Sequence, residues 1–438
     1  MRSRPTLILL ASATLVLSGC AGPTASERSA QPAIVTVPGD HPTISDAVAA
    51  AAEGDTVLVA SGAYRETVTI DTPGITLRGE DRNGVVIDGE VRRGSGVVVS
   101  APRVTVANLT VRNATQNGVL VTGMRDDDGE AVGGHDGYSA PDPNGTPLLD
   151  GFLVDHVTAS NNGLYGIYAF HSSNGAITDS FASGGADSGI YVGQCASCNI
   201  VVSGNVAERN AVGFEVANAG GDLVVTGNRF VGNRVGATIT SDYQEAFVPQ
   251  RGATLAGNVI AANAQHDTPE QADGGFGIGI GIAGGTENHL IANLITGHPV
   301  AGLVVTSAED LGPIGNRTVG NAFDRNSADV VYAPTPRGAG SGNCWEGNTL
   351  AGTVPEGLQS TSPCSAPAEV AAGSIARVQA PAGIPFTDVV APPPQPDLGP
   401  VDAAATPWRG EAAVPDVDLD AVAIPAPTLL AERSAISW

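Results

Sequence analysis

The chain has no lysine. All 21 of its basic residues are arginine, set against 45 acidic ones, for a formal net charge of −24. Such a surface repels phosphate backbones and anionic headgroups, which excludes nucleic acid and acidic lipid surfaces as partners. Neutral glycans and divalent cations remain compatible with it. Aromatic residues make up only 4% of the sequence, and there are two methionines and seven scattered histidines. A copper accessory protein needs clustered soft or imidazole ligands, so this composition speaks against that role. Long apolar runs are missing too. The one apolar stretch, Thr6 to Leu17, is too short for a comfortable membrane span.

Glycine is abundant, at 57 residues, and part of it is periodic. A Gly–apolar–x–apolar phrase recurs as Gly166-Ile167-Tyr168-Ala169, Gly189-Ile190-Tyr191-Val192, Gly213-Phe214-Glu215-Val216 and Gly236-Ala237-Thr238-Ile239, with glycines 23, 24 and 23 residues apart. Periods of this size mark stacked supersecondary units. Each unit holds only short alternating strands, so the units stack as a coiled parallel sheet. The expected fold is all-β, a right-handed parallel β-helix over residues 34–364. A short helix capping its amino-terminal end is predicted near Thr43, which serves as N-cap with Asp46 three residues on, and ends by Gly54. Asn205, Asn228, Asn258, Asn293, Asn321 and Asn348 punctuate the repeats and read as a structural ladder at one corner of the coils.

The amino terminus resembles a bacterial lipoprotein signal. Arg2 and Arg4 precede the apolar stretch, and Leu17-Ser18-Gly19-Cys20 matches a lipobox. The resemblance implies a signal peptide over 1–20, a lipid (palmitate among its acyl chains) on Cys20, and a tether over 21–33. The product is then a monomer anchored on the extracytoplasmic face of the cell membrane. Outside the cytoplasm the remaining cysteines fall into two local pairs read as disulfides, Cys195 with Cys198 and Cys344 with Cys364, the second clamping the last coil. From 365 to 438 the repeat dissolves into Pro/Ala-rich sequence, read as a largely disordered tail.

The segments His41-Pro42-Thr43-Ile44-Ser45-Asp46-Ala47-Val48, Gly62-Ala63-Tyr64-Arg65-Glu66 and Gly74-Ile75-Thr76-Leu77-Arg78-Gly79 resemble the opening of parallel β-helix proteins of the pectin-lyase-like superfamily. Pectin methylesterases and the periplasmic proteins of nitrous-oxide reductase maturation share this opening. Tyr165-Gly166-Ile167-Tyr168, Asp187-Ser188-Gly189-Ile190-Tyr191 and Gly213-Phe214-Glu215-Val216 resemble a bacterial family of β-helix repeat proteins. The stretch from Tyr165 to His171 is similar to a Tyr-Gly-Phe-Asp-Pro-His signature of mannuronan epimerases, with Tyr168 and Ala169 at the Asp and Pro positions and the histidine displaced by one.

Strand alternation sorts the repeated phrase. With Ile167, Ile190, Phe214 and Ala237 inward, Tyr168, Tyr191, Glu215 and Thr238 form one outward ladder. His171, Gln194 and Asn218 end the same strands, and Tyr165 and Asp187 precede them. Aromatic faces stack on sugar rings while amides and carboxylates bind hydroxyls, so the expectation is a groove that binds or processes an extracellular polysaccharide. Tyr165, Tyr168, Gln194 and Asn218 are its binding candidates. Asp187, Glu215, Tyr191 and His171 are its catalytic candidates, for a lyase, an epimerase or a glycoside hydrolase. The competing reading is a non-catalytic envelope scaffold or accessory protein. Insertions at Met124 to Leu149, Gln244 to Arg251 and Ala264 to Gly275 leave the repeats. The first carries Asp126, Asp128 and Glu130, hard oxygen ligands for Ca²⁺ outside EF-hand spacing, and also Asp127, His135, Asp136, Tyr138 and Asp142.

Overall fold

The computed structural model describes residues 32–126, 128–133, 145, 147–271, 274–399 and 414–438. The signal peptide, Cys20, most of the tether, and Asp127, His135, Asp136, Tyr138 and Asp142 lie outside the described residues. From Ile34 to Val354 the chain is a right-handed parallel β-helix, and most of its coils have three strands, while Val104–Arg112 and Leu149–Ser160 each run unbroken across two faces. One coil runs Ile167–Phe170, Ser172–Thr178 and Phe181–Ser183, and the next begins at Ser188–Cys195. The first strand of each coil joins an 11-stranded sheet running from Val68–Ile70 to Thr353–Val354. The other two faces merge into a 20-stranded sheet. Register between coils is in step: Ile167 pairs with Ile190, Ile190 with Phe214, and Phe214 with Ala237.

The repeated glycine has a steric cause. A Cβ on Gly166 would lie 2.5 Å from the Gly189 carbonyl oxygen of the next coil. The same collision recurs at Gly236, 2.5 Å from the Gly279 oxygen. Each coil therefore approaches the next with its backbone at the point where the 11-stranded sheet begins. The inward residues Ile167, Ile190, Phe214 and Ala237 are fully buried in one continuous core.

Asparagines fix the corners. Asn205 Nδ2 donates to Asn228 Oδ1, and the relay runs on through Asn258, Asn293 and Asn321 to Asn348, each step 2.9 Å. The backbone N–H of each residue donates to the same acceptor. Two further ladders went unread in the sequence. One is Asn210, Asn233, Asn263 and His298; the other is Gln250, Asn288, Asn316 and Asn343.

Both ends are closed. The helix Ile44–Ala50 buries Ile44, Ala47 and Val48, and Thr43 accepts from the Asp46 N–H. At the other end the short helix Leu358–Thr361 and the Cys344–Cys364 disulfide seal the last coil; Cys195 and Cys198 are also bridged.

The expectation of a largely disordered tail does not describe residues 366–399 and 414–438. They run back along the β-helix as a strap. Arg82, wholly buried, donates to the Pro396 carbonyl at 3.1 Å and to Val157 and Thr158 of the coils. Asn83 and Gln395 bond reciprocally, and Asn161 holds the Phe386 and Val389 carbonyls. Arg229 grips Pro427 and Leu429, while Arg433 of the tail reaches back to the Gly204 and Ser180 carbonyls. The tail makes little secondary structure of its own, so its backbone partners come from side chains of the coils.

Candidate functional site

The outward ladder forms as its alternation requires. Tyr168 pairs with Tyr191, Tyr191 with Glu215, and Glu215 with Thr238. It is not an open stripe, because insertions lie over it. Tyr168 is 4% exposed and Tyr191 2%. Met124, Ala131 and Val132 of the first insertion pack with Leu120, Tyr168 and Phe170, and Tyr168 donates its hydroxyl to the Gly133 carbonyl at 3.1 Å. Tyr165, Tyr168 and Tyr191 make a ring cluster with centroids 4.3 to 4.9 Å apart.

The second insertion covers the next coils, and the residues read as ligand binders hold it down. Gln194 is buried and accepts from the Ala246 N–H at 2.9 Å, while its amide meets His171 Nδ1 at 3.1 Å. Asn218 accepts from the Asp242 N–H and donates to the Asp242 and Glu245 carbonyls. His171 is 2% exposed and stacks on Phe247. Thus Gln194, Asn218 and His171 anchor a loop. Asp187 and Glu215 stay half-buried; Asp187 accepts from Gln271 Nε2 at 2.5 Å and Glu215 from Ser188 Oγ at 2.8 Å.

Glu245, missed in the sequence, is the most perturbed acid. It accepts from the Tyr191 hydroxyl through Oε1, while Oε2 is buried without a partner. Desolvation raises its pKa well above the carboxylate range, the Tyr191 bond opposes that, and Asp242 and Glu215 add to it. Burial likewise raises the three tyrosines well above 10, so Tyr191 is a hydrogen-bond donor and not a poised base. Folded Glu245 holds its proton where the unfolded residue has lost it. Stability is therefore intact below the unfolded value near 4.5 and falls as pH rises through the window up to the folded pKa. Glu245→Gln should match wild type in thermal midpoint below pH 4.5 and exceed it increasingly above. A midpoint difference that does not change with pH would contradict the assignment.

A cleft opens beside this cover, toward the amino-terminal end of the face. It measures about 800 Å³ and is lined by Val98, Leu120 and Tyr168, three consecutive outward residues of the same ladder. Ser95, Gln116, Asn117 and Leu164 line it from the coils, and Arg125, Asp126, Asp128, Ala131, Val132 and Gly133 from the first insertion. Asn117 donates to Ser95 Oγ at 3.1 Å, and its Oδ1 has no partner. The signal was in the sequence. Gly96-Val97-Val98-Val99 and Gly118-Val119-Leu120-Val121 extend the repeated phrase backward, and their third residues continue the ladder.

The residues read as calcium ligands sit exposed on one wall. Asp126 Oδ1 accepts the backbone N–H groups of Asp128 and Glu130 at 3.0 and 2.8 Å, which makes it a turn-former. Among the described residues the ligand group close enough for a metal is Asp155, His156 and Asp179, away from the ladder on the other sheet.

A closed three-sided coil of stacked parallel strands, with amide ladders along its corners, defines a parallel β-helix protein. The chain belongs to the NosD family, described as periplasmic copper-binding protein, whose family model matches residues 48–271 and 144–357. The family's periplasmic setting accords with a place outside the cytoplasm, and among the described residues no helix is long and apolar enough to cross a membrane. Pectinesterase A of Dickeya chrysanthemi is 34% identical over 88 residues, 16% of this chain and 24% of that protein. The chain thus spans about a quarter of the length of this curated relative. Among solved structures, the Azotobacter vinelandii mannuronan C-5 epimerase AlgE6 A-module is 18% identical, with 70% of this chain and 91% of that one covered and a TM-score of 0.49. Pectate lyase Pel9A is 13% identical over 73% and 78%, with a TM-score of 0.41.

Among the described residues no cluster of histidine, cysteine or methionine fits copper: the group close enough to share an ion, Asp155, His156 and Asp179, holds one imidazole. Soft sites use thiolate, thioether or imidazole. The four described cysteines are in disulfides, and Met124 is packed in an apolar cluster. His171 is fastened to Gln194. His298 sits between Asn263 and Asn326, with burial lowering its pKa to about 4. His156 shares its cluster with two carboxylates, and Arg433 lies 3.6 Å from Asp179.

Proposed function

We propose that this protein is an extracytoplasmic β-helix lipoprotein that binds a neutral, hydroxyl-rich polysaccharide in the cleft over Val98, Leu120 and Tyr168. The observation that carries the reading is the cleft's chemistry. An apolar and aromatic floor suits the C–H face of a pyranose, and amides, a serine hydroxyl and carboxylates on the walls suit its hydroxyls. Two carboxylates against one arginine, within a chain of net charge −24, favour neutral sugars over polyuronates. The stretch shared with a pectinesterase points toward carbohydrate as well.

Binding, not bond cleavage, is the activity proposed. His171 and Tyr191, the bases a lyase or epimerase would use, are buried and held by Gln194 and Glu245. Lipidation of Cys20 would hold the protein on the outer face of a membrane. Metabolic labelling with palmitate should mark the wild type and not Cys20→Ser; label retained in that variant would remove the anchor from this account. The functional test is retention on immobilised neutral β-glucan and xylan against polygalacturonate and alginate, with and without EDTA, scoring product release. Retention on a neutral polymer without new ends supports the proposal. New reducing or unsaturated ends would make the protein an enzyme, and retention on no polymer would remove the carbohydrate reading.

A further inference from the structure

The tail strap and the acidic end of the ladder are joined through one loop. Residues 264–271 leave the coil after the strand Val259–Ala261. At their far end Gln271 Nε2 donates to Asp187 Oδ1 at 2.5 Å. The strap donates two backbone N–H groups to the same loop. The Gly383 N–H donates to Glu270 Oε2 at 3.0 Å, and the Ile384 N–H to the Thr268 carbonyl at 2.9 Å. The strap is pinned there by a coil residue, since Arg234 donates to the Pro381 carbonyl at 2.6 Å. The Arg234 guanidinium also lies 5.2 Å from the Phe276 ring, just past the loop. From the coil side, Arg209 reaches Asp267 at 3.4 Å.

The contact is close enough to be specific. A Cβ on Gly383 would stand 2.6 Å from Glu270 Cβ and 2.7 Å from its nitrogen, with Pro269 at 3.0 Å. No side chain other than hydrogen fits between strap and loop. The loop residues have few other fixed partners. Thr268 bonds Gln265, and Gln265 bonds Ala262 at the base of the excursion and Asn233 of the preceding coil.

We propose that the strap segment 381–384 is a positioning element for a polymer that runs past the cleft: it holds the 265–271 loop so that Gln271 orients Asp187 on the coil of Tyr191, one coil beyond the cleft residue Tyr168. Glu270, Thr268 and Gly383 are then positioning residues, acting on the site through Gln271. The inference rests on the glycan reading for its consequence in binding, and on the contacts alone for its consequence in loop order.

Gly383→Val in the full chain separates the two. The coil anchors of the strap at Arg82, Asn83 and Arg433 are far from the change, so the β-helix and the rest of the strap should remain, with far-UV circular dichroism unaltered. Hydrogen exchange at residues 265–271 should speed up at least tenfold, and affinity for the retained neutral polymer should fall severalfold. Gln271→Ala should reproduce the affinity loss without the faster exchange at Thr268 and Glu270. Arg433→Ala, which loosens the strap at its other end, should leave both readouts near wild type. Unchanged exchange over 265–271 in Gly383→Val overturns the coupling, whatever the protein binds. Faster exchange in a protein that retains no polymer upholds the coupling and removes the glycan reading. Faster exchange with undiminished polymer affinity overturns the positioning role.

Discussion

Asn258→Ala should destabilise the β-helix by about 2 to 3 kcal/mol. The side chain sits in the middle of the longest amide ladder. Its Oδ1 accepts from both the backbone and the side chain of Asn228, and its Nδ2 donates to the Val225 carbonyl and to Asn293 Oδ1. All these groups are buried. Truncation leaves the Asn228 N–H without an acceptor, while its Nδ2 keeps the Val202 and Thr226 carbonyls, and an orphaned buried polar group costs about 1 to 3 kcal/mol. Water has no ready access, because the corner is closed by stacked coils above and below. Asn258→Asp keeps the acceptor but loses the donors, and places a charge beside the buried amides of the ladder; it should be no better. Guanidinium unfolding followed by circular dichroism measures the effect. A loss under about 1 kcal/mol would show that register is set by the glycine contacts and the core, with the ladder merely accommodated.

The second large effect is on ligand binding. Val98→Trp should abolish retention of the neutral polymer, a loss of at least a hundredfold, with the thermal midpoint within a few degrees of wild type. Val98 faces outward and lies in the apolar cluster of Leu120, Met124 and Tyr168, so the indole enters the cleft and spares the core inside the coils. It fills the floor on which a sugar ring would lie beside Leu120. Gln116→Ala should have a milder effect, because one exposed amide contributes about 1 kcal/mol of net hydrogen bonding. The opposite ranking would shift the site from the floor to the rim.

The coil architecture was legible because its causes are local and repeated. Gly166, Gly189, Gly213 and Gly236 are glycine since each abuts a backbone oxygen of the next coil, and that contact recurs once per turn. The ladder of Tyr168, Tyr191 and Glu215 was legible for the same reason, since alternation within a strand fixes which side faces out. What covers the ladder was not. Gln194 and Asn218 read as binding groups because they end strands on the outward face. Their partners, Ala246 and Asp242, lie in an insertion whose path no period encodes. The tail failed for a related reason. Its proline-rich sequence has no strand or helix pattern, and its order comes from Arg82, Asn83, Asn161 and Arg229, which lie roughly two hundred to three hundred residues earlier in the chain. Buried arginine in a β-helix was the available signal, but sequence alone does not mark an arginine as buried.

The central claim is that the cleft at Val98, Leu120 and Tyr168 holds a neutral glycan. Calorimetric titration of the purified protein and of Val98→Trp with neutral β-glucan and xylan oligosaccharides, at low and high salt, tests it most directly. The account predicts saturable binding of a neutral oligosaccharide to the wild type, little changed by salt, and none to Val98→Trp. Equal binding to both proteins, or binding confined to polyuronates and lost with salt, would contradict it.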